Sequence, residues 1–134
     1  MTYSNVISGI HTLVSSKVAG STVLKAIPYR RAGTASVYYV FPNMYNSTPT
    51  SLRRVNKTFT VNIVVEKTCG SESDYISLWG DAENIYEIFE VLDDYVTINT
   101  ICFKINSIYG RYYREDNDMA YVAIQVVLEQ LSDD

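Results

Sequence analysis

The residues best suited to chemistry are arginines set among tyrosines. They recur at Tyr29-Arg30-Arg31, at Arg53-Arg54 and at Arg111-Tyr112-Tyr113-Arg114. A guanidinium beside a phenol ring can neutralise a phosphate while the ring stacks on a base. The same pair serves equally at a protein interface, where Arg and Tyr are favoured anchors. Ordinary salt-bridged loops are the third reading. Other chemistries find little support. The single histidine, His11, lies on the flank of an apolar stripe, where a structural role is expected. There is no phosphate-binding glycine loop and no nucleophile elbow. The carboxylates cluster on one face of a helical segment, which suits a solvated surface better than an acid–base pair. Asp116-Asn117-Asp118 offers oxygen ligands but lacks the glycine and terminal glutamate of a calcium loop, so a polar turn is expected. Cys69 and Cys102 have no CxxC spacing, and zinc would need carboxylates to complete a site; reduced thiols are expected. The residues therefore predict no enzyme, no cofactor and no metal.

The elements that carry these residues follow from hydrophobic period. Around the centre, Phe59, Val61, Ile63 and Val65 alternate with Thr58, Thr60, Asn62, Val64 and Glu66, the pattern of a half-buried strand over 57–67. After Thr68-Cys69-Gly70 the period changes. Tyr75, Leu78, Trp79, Ala82, Ile85, Tyr86, Phe89 and Leu92 recur at helical spacing, opposite an acidic face. Ser71 and Asp74 suggest a capping box. Gly80 either breaks this helix or lets its backbone approach the sheet.

Upstream, Val6, Ile7, Ile10, Leu13, Val14 and Val18 predict a first helix, capped by Thr2 or Ser4 and ended near Gly20. Strands are predicted at Val23–Tyr29, halted by Pro28, and at 35–41, stopped by Pro42. Asn43 to Asn56 is polar and predicts a long functional loop. Downstream, Val96–Ile98 can pair briefly, and Ile101, Phe103 and Ile105 alternate, with a parity shift around Thr100 that suggests a bulge or two short strands. Residues 109–118 predict a turn. Ala120, Val122, Ile124, Val126 and Leu128 form the last strand. The expected fold is α+β: a mainly antiparallel sheet of about five strands with two amphipathic helices packed on it.

Composition sets outer bounds. A length of 134 residues suits a single domain. With 47% hydrophobic residues and a net charge of -4, the chain reads as globular, and global attraction to nucleic acid or an anionic membrane is not expected. No secretion signal or membrane-spanning run is seen, so synthesis in a cytosol is expected. The twelve tyrosines fit a Tyr-rich sheet surface or a protein interface.

This order of elements resembles the tail terminator, or tail-to-head joining (tail completion), proteins of long-tailed bacteriophages. The carrying features are the helix Val6–Val18, the strand Val37–Phe41 ending in Pro42, the strand Phe59–Val65, the helix Tyr75–Leu92 and the strand Ala120–Leu128. Tyr112-Tyr113-Arg114 before acidic residues adds to the likeness. The resemblance implies a non-enzymatic virion protein, made in the host cytoplasm, that forms a six-fold ring at the head-proximal end of the tail. Its partners would be further copies of itself, the tail tube protein and the head-tail connector protein. DNA would pass through the ring without specific binding. The contact residues expected are Met44, Tyr45, Arg53, Arg54, Arg111, Tyr112, Tyr113 and Arg114. The alternatives are a nucleic-acid-binding α+β module using the Arg/Tyr loops, and a small-ligand-binding regulatory domain.

Overall fold

A computed structural model of the protein describes residues 2–25, 35–51, 54–90, 95–98, 101–114 and 118–130. Helix α1 (Tyr3–Lys17) is started by Thr2, whose hydroxyl accepts from the Asn5 N–H at 3.2 Å. Its buried stripe is Val6, Ile7, Ile10 and Val14, and Gly20 takes the positive φ of 90° in the turn beyond it. Strand β1 (Thr22–Leu24) follows, then β2 (Val37–Ser51) and β3 (Arg54–Thr68). Helix α2 (Glu72–Glu90) leads to β4 (Tyr95–Ile98), β5 (Ile101–Arg114) and β6 (Met119–Gln130).

The strands form one sheet in the order β1-β2-β3-β6-β5-β4. All neighbours are antiparallel except β1 and β2, which are parallel. The sheet is mainly antiparallel as expected, with one parallel pair, and counts six strands among the described residues where about five were expected. Alternation along a strand does not encode the direction of its neighbour, so the parallel β1–β2 pair is not legible in advance.

Both helices cover one face. Phe59, Val61, Ile63, Val65, Ala120, Ile124, Val126, Leu128 and Phe103 meet the helix stripes in a continuous core. A second, smaller cluster of Val37, Tyr39 and Val64 lies on the opposite face, joined by Phe41, Tyr121 and Ala123. Strand β3 therefore buries apolar residues on both sides.

Gly80 neither breaks α2 nor approaches the sheet: the helix is continuous, and nothing lies within 4 Å of the place a Cβ would take. Asp74 caps α2 as expected, its carboxylate accepting from the Gly70 N–H at 3.0 Å. That bond and one from Ser71 hold its pKa below the usual carboxylate range. Trp79, placed by its spacing in the buried stripe, is 48% exposed. The helical period assigns a stripe wider than the sheet beneath it can cover. Leu92, the last residue of the predicted helical stripe, and the strand end at Pro28 and Tyr29 lie outside the described residues, as do Arg30 and Arg31.

Two larger corrections concern the connections. The polar loop expected over 43–56 is a β-hairpin arm: β2 and β3 stay paired from Val37↔Glu66 out to Ser51↔Arg54. Pro42 does not end the strand. It sits at a register shift between Pro42 and Met44, where the ladder is locally irregular and a residue without an N–H is tolerated. Likewise the turn expected over 109–118 is strand as far as Arg114, which pairs with Ala120. Both segments are solvated on much of both faces, so neither shows the alternation by which a strand is recognised.

Candidate interaction surface

Pairing with β6 ends at Thr58↔Glu129. Beyond that row, among the described residues, β2 and β3 continue as a two-stranded arm. At its root the Tyr45 ring packs 5.1 Å from Phe59 and 6.1 Å from Tyr3. The Tyr3 hydroxyl accepts from the Asn43 N–H at 3.0 Å and faces the carbonyls of Met44, at 2.9 Å, and Thr60. A residue of the first helix thus ties down the bulge from which the arm leaves the sheet. Met44 and Val55 stand exposed on the arm at 58% and 46%. Of the arginines expected here, Arg53 lies outside the described residues, and Arg54 is described by its main chain, which opens β3.

The second group, Arg111 to Arg114, falls at the far end of the sheet along the strand axis, in the rows of Val64 and Glu66. Strand geometry splits it between two faces. Arg111 and Tyr113 point away from the helices into an open groove of about 720 Å³, which Phe41, Asn62, Glu66 and Gln125 also line. Tyr113 stacks on Tyr121 with 4.8 Å between centroids, and its hydrogen bond to Arg111 raises the pKa of the guanidinium. Tyr112 and Arg114 point toward α2. There Tyr112 meets Tyr75 and Trp79 edge-on, and the Arg114 guanidinium lies 5.8 Å from the Tyr75 centroid. The aromatic side of this second hollow, about 500 Å³, is completed by Trp79, a contact residue that spacing alone assigns to the core. On the same face, two residues back along β5, Gly110 leaves room for the Tyr86 hydroxyl; a Cβ there would stand 2.8 Å from Tyr86 Cζ.

The eight residues singled out from sequence therefore form no single patch. The structure puts Met44 and Tyr45 on the arm, Arg111 and Tyr113 in the groove, and Tyr112 and Arg114 beside α2. A base-stacking platform needs its rings and cations on one face, so this division weighs against using the Arg/Tyr turn as a unit.

The groove polar groups answer one another: the Tyr109 hydroxyl donates to Gln125, and Asn43 donates to Asn62 at 3.2 Å. His11 contacts the Val23 carbonyl at 3.1 Å through Nε2, the structural use expected of it. Cys69 is buried just past β3, with its pKa raised by burial and then by Asp74. Among the described residues no group of three or more His, Cys, Asp or Glu could hold a metal ion. No described helix is long and apolar enough to cross a membrane.

The sequence matches no protein-family model, and no curated protein matches it. Solved structures do share its shape. A chain from the virion of a native gene transfer agent particle aligns over 93% of this chain and 92% of its own, with TM-score 0.57 and 13% identity. A second solved chain aligns over 98% of this chain and 97% of its own, with TM-score 0.51 and 14% identity. At these identities the likeness establishes the α+β fold across nearly the whole length.

Proposed function

We propose that this chain is a structural virion protein. In particular it acts as a tail terminator or tail completion protein, without enzymatic activity or cofactor. Copies assemble as a six-fold ring at the head-proximal end of the tail tube, end tube polymerisation and join the tail to the head connector. The observation that carries the reading is the end-to-end fold likeness to a chain of a gene transfer agent virion. Near-complete coverage on both sides means that the two chains share a whole architecture and not a common α+β fragment.

Physical features of the subunit agree with it. A ring needs unlike surfaces that meet head to tail, and aromatic anchors with a polar rim. The chain has an arm that buries little within its own subunit, and exposed Met44, Tyr45, Trp79, Tyr109 and Tyr112. Its net charge of -4 suits a channel through which DNA moves without adhering.

The test has two parts. Light scattering over a wide concentration range should give a discrete assembly of six subunits, or a monomer moving toward it. Added to a polymerising tail tube protein, the chain should cap the tubes and shorten their length distribution in electron micrographs. Tubes of unchanged length, with no protein at their ends, would reject the terminator role.

A further inference from the structure

Where β5 passes the start of α2, three aromatic rings meet a group of carboxylates. Tyr75 and Trp79 stand four residues apart and share one side of the helix. Tyr112 reaches them from β5, its ring centroid 6.4 Å from that of Tyr75 and 6.1 Å from that of Trp79, at interplanar angles of 65° and 76°. Rings so steeply inclined wall a hollow of about 500 Å³ on more than one side. Trp79 and Tyr112 stay 48% and 43% exposed beside it. Aromatic faces carry the negative part of the ring quadrupole and attract cations, indole most strongly.

The chain already uses one of these faces in that way: the Arg114 guanidinium lies 5.8 Å from the Tyr75 centroid. Three carboxylates stand around it. Glu72 and Asp118 line the hollow, and Asp74 borders it through its bond to the Gly70 N–H. Among the described residues the one ion pair joins Lys17 to Glu87, so Arg114 makes none with Glu72 or Asp118. Three acids against one guanidinium leave the hollow net negative, even after the partial positive charge at the start of the helix. An anion fares worse here, because the Gly70 N–H that would serve it as a donor is held by Asp74.

We propose that the hollow between Tyr75, Trp79 and Tyr112 binds an organic cation, an alkylammonium or guanidinium group. It sits on the Trp79 side of Tyr112, with Glu72 and Asp118 balancing its charge. Arg114 is the competitor from within the chain, since it occupies the Tyr75 face and repels a second positive group. The same chemistry can come from a free small molecule or from a lysine or arginine side chain of a second copy. The site stands on its own rings and carboxylates and is independent of the tail terminator reading.

Trp79 is the single tryptophan of the chain, so its fluorescence reports on this hollow alone. Tetramethylammonium chloride titrated into the full chain should change that emission saturably, with half-saturation on the order of millimolar. Sodium chloride, and tert-butyl alcohol as a neutral molecule of similar shape, should not. Arg114→Gln should tighten the binding several-fold and Glu72→Gln should weaken it by a similar factor. Both side chains are exposed, and thermal melts check that each variant is folded. The source is told apart by concentrating the protein alone. Emission that changes with concentration, and is restored by tetramethylammonium, assigns the cation to a second copy. Emission that stays constant, with the tetramethylammonium response intact, assigns it to a free organic cation. An equal response to the alcohol or to sodium chloride, or none to tetramethylammonium, would overturn the proposal. So would a response to inorganic phosphate that Arg114→Gln abolishes, because the hollow would then hold an anion through that guanidinium.

Discussion

Gly9 and Gly80 both occupy helix interiors, and replacing each by alanine separates helix propensity from packing. Either change should gain about 1 kcal/mol of intrinsic propensity. At Gly80 the space around a new Cβ is empty to 4 Å, so the gain stands alone. At Gly9 the same methyl would overlap Ile98 Cγ2 and lie 3.3 Å from Ile98 Cβ. Ile98 is buried at the end of β4, paired with Ile101, and its branched side chain has little rotamer freedom with which to yield. Helix α1 would have to lift from the sheet. Overpacking of this kind costs about 1–3 kcal/mol, so Gly9→Ala should be a net loss of up to about 2 kcal/mol. For a chain of this size 1 kcal/mol moves the melting midpoint by about 4 °C. Calorimetry should therefore find Gly80→Ala raised by about that amount and Gly9→Ala lowered by up to about 8 °C. If Gly9→Ala melts as high as Gly80→Ala, the close seat of α1 on β4 is wrong.

Three further outcomes follow from the core and the arm. Phe59→Ala removes a fully buried ring that packs on Tyr3, Tyr45 and Phe103; urea titration should show a loss of about 3–5 kcal/mol. Tyr3→Phe deletes the hydroxyl that holds the bulge, so stability should fall by about 1 kcal/mol. Amide exchange should quicken at Asn43 and not at central residues such as Ile63. Burial, then the charge of Asp81, pushes Tyr38 up to about 12, and burial also raises Tyr3 and Tyr86. The folded chain thus holds these phenol protons more tightly than the unfolded chain, whose tyrosines ionise near 10. Their contribution is complete below pH 10 and is lost as pH rises toward 12. The urea midpoint should fall across that window together with the rise of tyrosinate absorbance, and a flat midpoint would contradict the burial of Tyr38.

What could be read in advance was whatever buries one face. The alternation of Phe59 to Val65 and of Ala120 to Leu128, and the helical spacing from Val6 and from Tyr75, each reflect an element with a dry side and a wet side. The arm and the outer half of β5 could not be read that way. Thr48 and Asn56 pair with each other across the hairpin, and Tyr109 and Arg111 with Gln125 and Ala123, so ladder hydrogen bonds hold them in strands while their side chains carry little periodic signal. The candidate contacts fared similarly. Arg111 to Arg114 were legible as an unusual cluster, but its division between groove and helix depends on β5 continuing as a strand. Trp79 was misplaced because spacing reports the direction of a side chain on a helix, not how far the sheet extends beneath it.

The seam between β3 and β6 has a consequence for how the chain is made. The sheet consists of two locally connected halves, one ending at β3 and one built from β4, β5 and β6, joined where Thr58 pairs with Glu129 and Thr68 with Met119. During synthesis the apolar strand from Phe59 to Val65 is complete long before its partner emerges, and such an unpaired edge is a template for wrong partners. Closure must await the last strand and then cross a long loop, which slows folding. The same wiring suggests a way to divide the molecule. A break between Glu90 and Tyr95 would give one fragment ending in α2 and another beginning at β4, each with an open apolar edge complementary to the other. Joined again on demand, they would form a split protein whose reassembly reports the meeting of whatever is fused to its halves.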